Sequence, residues 1–288
     1  MIIKTAQLKR SVDLMTDKIA YRLSILFSLF GLFAVVAPAL SHAGGVALAS
    51  HRAVYDLTLK EFHRDGGIED VRGRIVMEVE NSCEGVLMNQ RMLVELLNIS
   101  GDSMTSDYHL STWEDRAGQL MRFTMSNVLN GRTIENYDGV ANLGSAGGSV
   151  TFSEDGADRL DLPEGVIFPT GHTREILKSA KAGKNLLSAK IYDGNGVNGL
   201  FDTLTVIGKS GKSDSTLLKD RDMGNLPYWP VQMSYFDLSA QSNEPEFEVG
   251  LKMFENGVAS DLVLKYEDFS LNGSLVQLDI LDTAGCGN

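Results

Sequence analysis

The chain has 288 residues, with 26 Lys and Arg against 38 Asp and Glu and a net charge of −12. A surface that acidic repels polyanions, which argues against nucleic acid as a partner and against loose adsorption to anionic lipid. Only the first segment is basic: residues 1–43 carry five basic and two acidic side chains, so the remainder carries −15. There Lys18 and Arg22 precede an uncharged run from Leu23 to Leu40, and small residues follow at Ser41, Ala43, Ala47 and Ala49. This is the three-part order of a secretion signal, with cleavage expected after Ala43 or Ala49. The stretch before Lys18 is long for a signal, and Met15 offers a second start. An uncleaved anchor is the competing reading. The run would span about 27 Å as a helix, marginal for a bilayer, and Pro38 interrupts its end. No cysteine follows the apolar run closely, which argues against a lipid-anchored lipoprotein.

Residues 44–288 read as a single, mainly antiparallel β domain. Hydrophobic residues recur with period two, the mark of half-buried strands. Val71, Ile75, Met77 and Val79 alternate with Arg72, Arg74, Glu78 and Glu80, and Phe247, Val249, Leu251 and Met253 with Glu246, Glu248 and Lys252. Leu262, Leu264 and Tyr266 alternate with Asp261 and Lys265, and Val276, Leu278 and Ile280 with Gln277 and Asp279. Asn130-Gly131, Asn256-Gly257 and Asn272-Gly273 are hairpin signals, because both positions accept positive φ. The C-terminal quarter therefore reads as a meander. One segment departs from the pattern: His172–Ala182 places Ile176, Leu177 and Ala180 on one helical face, with Gly183 as a C-terminal stop and a turn at Leu162–Gly165 before it.

An exported chain meets an oxidising compartment, where an even number of cysteines usually means a disulfide. The only two are Cys83 and Cys286, so one pairing is available; two free thiols are the alternative.

Motifs that would carry chemistry fail one by one. Gly208–Ser213 contains Gly-Lys-Ser twice, but the glycine a phosphate loop needs five positions earlier is Val206 in one copy and Thr203 in the other. A solvated turn is expected there, and no nucleotide. Asp193-Gly194-Asn195-Gly196-Val197-Asn198-Gly199 resembles part of a calcium loop, yet Val197 and Leu204 stand where oxygen ligands are required. A glycine-rich turn whose Asx side chains bond their own backbone is expected instead. His51, His63, His109 and His172 fall in separate elements, so no metal or other cofactor is expected. Trp113 and Trp229 could line a ligand cavity, although strand aromatics more often fill a core. No catalytic residue is assigned.

Several stretches in order carry a family resemblance: His51-Arg52-Ala53-Val54-Tyr55-Asp56-Leu57, Asn81-Ser82-Cys83-Glu84-Gly85, Thr112-Trp113-Glu114 and Phe168-Pro169-Thr170. Further on come Tyr192-Asp193-Gly194, Trp229-Pro230-Val231, Glu255-Asn256-Gly257-Val258 and Tyr266-Glu267-Asp268-Phe269. Together they resemble the EipB family of periplasmic cell-envelope integrity proteins. One departure is Val86-Leu87-Met88, where that family carries a tryptophan. The resemblance implies a long antiparallel sheet coiled into a spiral or open barrel, akin to the lipoprotein carriers LolA and LolB. It also implies the Cys83–Cys286 bridge and a periplasmic location without enzymatic activity.

Two functions follow as expectations. The first is an envelope-integrity protein that binds another envelope protein through the outer face or edge of its sheet. The second is a carrier of a lipid or lipoprotein acyl chain in the concave face, where Met77, Phe247 and Met253 would form an adaptable wall. A hydrolase is the remotest reading, because no motif supports it.

Overall fold

The computed structural model describes residues 46–62, 68–153, 159–213, 215–238 and 243–282. The expected export signal with its Ala43 cleavage site, and His63, lie outside the described residues, whereas residues 46–49 before the alternative Ala49 site are described. Among the described residues, no helix is long and apolar enough to cross a membrane.

The first half is a run of strands, each paired with the next: β1 (His51–Phe62), β2 (Ile68–Asn81), β3 (Gly85–Asn98), β4 (Ser103–Asp115), β5 (Leu120–Leu129), β6 (Arg132–Gly144), β7 (Gly147–Phe152) and β8 (Leu160–Leu162). After β9 (Val166–Ile167) comes helix α1 (Pro169–Lys181), then β10 (Leu186–Tyr192) and β11 (Leu200–Ile207). The remainder is β12 (Gly211–Lys212), α2 (Thr216–Lys219), β13 (Pro227–Asp237), β14 (Phe247–Phe254), β15 (Ala259–Lys265) and β16 (Phe269–Ile280). All pair in one sheet. Its order runs from β8 back to β1, crosses to β16, and descends through β15, β14, β13, β11 and β10 to β9. Each pairing is antiparallel except that of β9 with β10. The expected C-terminal meander is therefore present as β13 to β16.

Two features give this sheet its shape. The first and last strands, β1 and β16, pair in its middle, from His51 opposite Ile280 to Phe62 opposite Phe269. Its two edges, β8 and β9, are consecutive in the chain, joined only by Pro163-Glu164-Gly165 with Gly165 at φ 84°. The sheet must curl back so that its edges meet. Met121, Phe123, Val150 and Leu162 from one end share a buried cluster with Val166 and Tyr192 from the other. Phe123 meets Tyr192 edge to face, with centroids 5.7 Å apart. A nearly closed barrel results, which leaves few exposed strand edges.

Helix α1 packs against the sheet, as its position predicts. It begins one turn before His172, because Pro169 at its first position needs no N–H partner. It ends at Lys181, and Gly183 just beyond the cap, with a φ of 71°, closes the last turn. Ile176, Leu177 and Ala180 pack on Ile207, Trp229, Val231 and Met253.

Three sequence expectations are corrected. Asn272-Gly273 is not a turn but the middle of β16, opposite Thr58 and Leu57. A Cβ on Gly273 would lie 2.9 Å from Leu262 Cβ and 3.2 Å from Leu57 Cδ2, so this glycine makes room for two leucines. Val276 does not share the inward face with Leu278. A bulge opposite Val54 and Tyr55 shifts the parity, leaving Leu278 fully buried and Val276 43% exposed. Asn130-Gly131 forms the expected tight turn with φ of 49° and 76°, whereas at Asn256-Gly257 only the glycine is left-handed. There β14 and β15 are joined by a four-residue loop, and Asn256 Oδ1 accepts the Val258 N–H.

Candidate ligand cavity

Period-two alternation sends one residue in two inward, and a curled sheet faces those residues across a hollow. The register puts Ile75 opposite Met92 and Met77 opposite Gln90 on the inner face of β2 and β3. Leu251 of β14 and Leu262 and Leu264 of β15 face the same space, which has a volume of about 450 Å³. Met88 and Tyr55 complete this wall. Unbranched methionine side chains conform to an irregular apolar surface, so the wall is adaptable.

The rest of the lining includes polar and aromatic residues: Tyr108, Asp193, Asn195, Tyr235, Glu248 and Tyr266. Its centre is the loop after β10. Asp193 Oδ1 accepts the Asn195 N–H at 2.9 Å, and Oδ2 accepts the Asn195 side-chain amide at 2.8 Å. Tyr108 donates to Asn195 Oδ1 at 2.5 Å, and Tyr192 donates to the Gly196 carbonyl at 2.9 Å. Glycine permits this fold: Gly196 has φ 59°, and a Cβ there would fall 2.2 Å from the Tyr137 ring. The self-bonded Asx turn expected from sequence is therefore present, but it points into the barrel rather than out to solvent.

Asp193 is enclosed by protein while keeping surface toward the cavity. Burial pushes its carboxyl up to about 6, against the hydrogen bonds from Asn195. Burial and then the Asp193 charge push the Tyr108 and Tyr235 hydroxyls upward. Among the described residues Asp193 has no ion-pair partner. Glu248 differs: Lys265 at 2.6 Å, followed by Ser234 at 2.9 Å, holds it below the usual carboxylate range.

A second buried carboxylate positions the helix. The α1 N-cap, Phe168, has no side-chain acceptor, and Glu114 from β4 supplies one instead. The Thr170 N–H donates to its Oε1 at 2.9 Å and its Oε2 at 3.2 Å. Burial pushes Glu114 up to about 7, opposed by the Thr170 bonds and by Arg174. His172, one turn along, sits between the hydroxyls of Thr203 and Thr205 at 3.5 Å, and burial pushes it down to about 4.

The remaining sequence candidates stand elsewhere. Trp229 is core beneath α1, and Trp113 lies half-buried under Arg122 at 5.7 Å, so neither lines the cavity. His51 is buried at the start of β1, and His109 pairs with Asp107 at 3.0 Å. Among the described residues, no group of three or more His, Cys, Asp or Glu is placed to hold a metal ion. Cys83 occupies the turn between β2 and β3, and Cys286 lies outside the described residues. Asn81 N–H donates to Ser50 Oγ and Leu281 N–H to the Ser50 carbonyl, both at 2.9 Å. The chain just before each cysteine thus meets at Ser50.

Sequence reasoning missed the polar part of the cavity lining. The available signal was the glycine density around Asp193 and Asn195; what it could not show was the direction in which the loop folds.

Comparison with known proteins places this architecture. A family model described as EipB-like matches residues 42–282. The cell envelope integrity protein EipB of Brucella abortus is 32% identical over 257 residues, covering 88% of this chain and 91% of that protein. A crystal structure of a β-barrel-like protein from Brucella abortus, of a domain of unknown function, superposes with a TM-score of 0.76 at 30% identity. It covers 82% of this chain and 99% of the other. On sequence and fold together, the chain belongs to the EipB-like family.

Proposed function

We propose that this protein is an exported, non-enzymatic periplasmic protein that maintains cell-envelope integrity by holding an apolar chain, such as the acyl chain of a lipid or lipoprotein, in its barrel. The observation that carries this reading is the cavity of about 450 Å³ walled by Ile75, Met77, Met88, Met92 and Leu251. Its size falls within the roughly 300–1,000 Å³ of small-molecule sites, and a plain core would have closed it. Each CH₂ sheltered there contributes about 0.8 kcal/mol. The cavity thus raises the carrier above the protein-partner reading that stood first on sequence. Envelope integrity is the role named for the relative in Brucella abortus.

The same proposal includes the Cys83–Cys286 bridge, supported by export and by the convergence of both flanking segments on Ser50. It would lock the end of β16 to the β2–β3 turn.

The test is native mass spectrometry of the protein released gently from its own envelope. A lipid-sized adduct, absent from a folded Met77→Trp variant whose indole fills the cavity, is the expected result. A bare protein that also fails to take up added fatty acid or alkyl detergent would overturn it, and crosslinking for a protein partner would follow.

A further inference from the structure

Resting on the proposal that the cavity holds an apolar chain, we infer that its ligand is a cationic amphiphile, an alkyl or acyl chain ending in an ammonium group seated beside Asp193. Among the described residues the lining holds one inward carboxylate, Asp193, and no Lys, Arg or His; Glu248 also borders it, but its side chain stands on the other face of β14 from Phe247, Val249 and Leu251, beside Ser234 and Lys265. Lys265 answers Glu248 from outside the lining. Among the described residues Asp193 is met by the amide and N–H of Asn195 and by its own backbone N–H, none of which carries charge.

Aromatic side chains share this lining. Tyr235 stacks on Phe247 with centroids 4.3 Å apart, and Tyr108 and Tyr266 line the same cavity. A ring face attracts a desolvated cation and repels an anion. A depression of about 500 Å³ adjoins the cavity and shares Phe247, Glu248 and Tyr266 with it. Among the described residues its lining includes Asp237, Glu244, Glu246, Glu267 and Lys265. Chain and headgroup are thereby assigned to different parts of the lining: methylenes against the methionines and leucines, ammonium against the carboxylate and tyrosines. An anionic head seated beside Asp193 would meet buried like charge, and the Lys265 ammonium at the entrance is already held by Glu248, which is strongly unfavourable for an anion.

The experiment uses lipid-free protein and three twelve-carbon probes below their micellar concentrations at pH 8: dodecyltrimethylammonium, uncharged dodecyldimethylamine oxide, and dodecanoate. Calorimetry should show the ammonium binding at least about tenfold more tightly than dodecanoate, as expected for one desolvated charge contact. Asp193→Asn, which keeps the acceptor needed by the turn, should remove most of that preference and spare the amine oxide. Should that variant misfold, Gln90→Lys, which places a cation on the lining, serves instead and should shift the preference toward dodecanoate. Equal or tighter binding of dodecanoate by the unaltered protein overturns the charge inference and leaves the apolar-chain reading standing. So does a preference that survives in both folded variants. If none of the three probes binds, the underlying reading falls as well.

Discussion

Replacing Glu114 with Gln isolates the buried carboxylate that caps α1. In the folded protein burial raises this group from 4.5 to about 7. The folded carboxyl therefore keeps its proton to higher pH than the unfolded one. Its stabilising contribution is complete below pH 4.5 and is lost as pH rises through 7. The difference corresponds to about 3 kcal/mol, most of it lost between pH 5 and 8. Glutamine resembles the protonated acid and has no such loss. It still accepts the Thr170 N–H, so near pH 5 the two proteins should melt close together. By pH 8 the variant should melt about 6–12 °C higher relative to the parent, taking 2–4 °C per kcal/mol for a domain of this size. Asp193, raised by burial to about 6, acts in the same direction, and His172, lowered by burial to about 4, acts oppositely. Both are common to the two proteins and cancel in the comparison. Scanning calorimetry of parent and variant at pH 5, 6, 7 and 8 measures it. A gap that stays constant or narrows with pH would refute the reasoning.

Two further substitutions test the frame. Cys83→Ser should lower the melting temperature by several degrees and leave β16 sensitive to protease. The chain-entropy ceiling for so long a loop is about 5 kcal/mol, and unchanged melting with and without reductant would remove the bridge. Gly273→Val should destabilise by about 1–3 kcal/mol, since its Cβ would press on Leu262 and Leu57 inside the core. A wild-type unfolding midpoint in urea would show that these leucines yield freely.

Much of the fold was legible because its signals are local. Alternation along Val71–Val79 and Phe247–Met253 gives strands whatever they pair with, and the proline and glycine bracketing α1 set its ends. Where local rules failed, a distant neighbour had intervened. Asn272-Gly273 has turn composition, but Leu57 and Leu262 occupy the space its missing side chain leaves. Val276 fits the alternation by eye, and the bulge against β1 turns it outward.

The candidate site divides along the same line. The sequence by itself carried the residue order of a secretion signal, an acidic chain with antiparallel strand alternation and the helix α1 though not α2, and no complete nucleotide, calcium or catalytic motif, because each depends on residues adjacent in the chain. Only the tertiary structure decided that β1 pairs with β16 in mid-sheet, that β8 and β9 bring the edges together, and that the barrel retains a hollow. It alone turned the Asp193 loop inward to meet Tyr108 and placed Glu114 under the helix, 56 residues away from Thr170. Those outcomes are set by which long-range partners bury the most surface and leave the fewest polar groups unbonded, a competition settled across the whole chain.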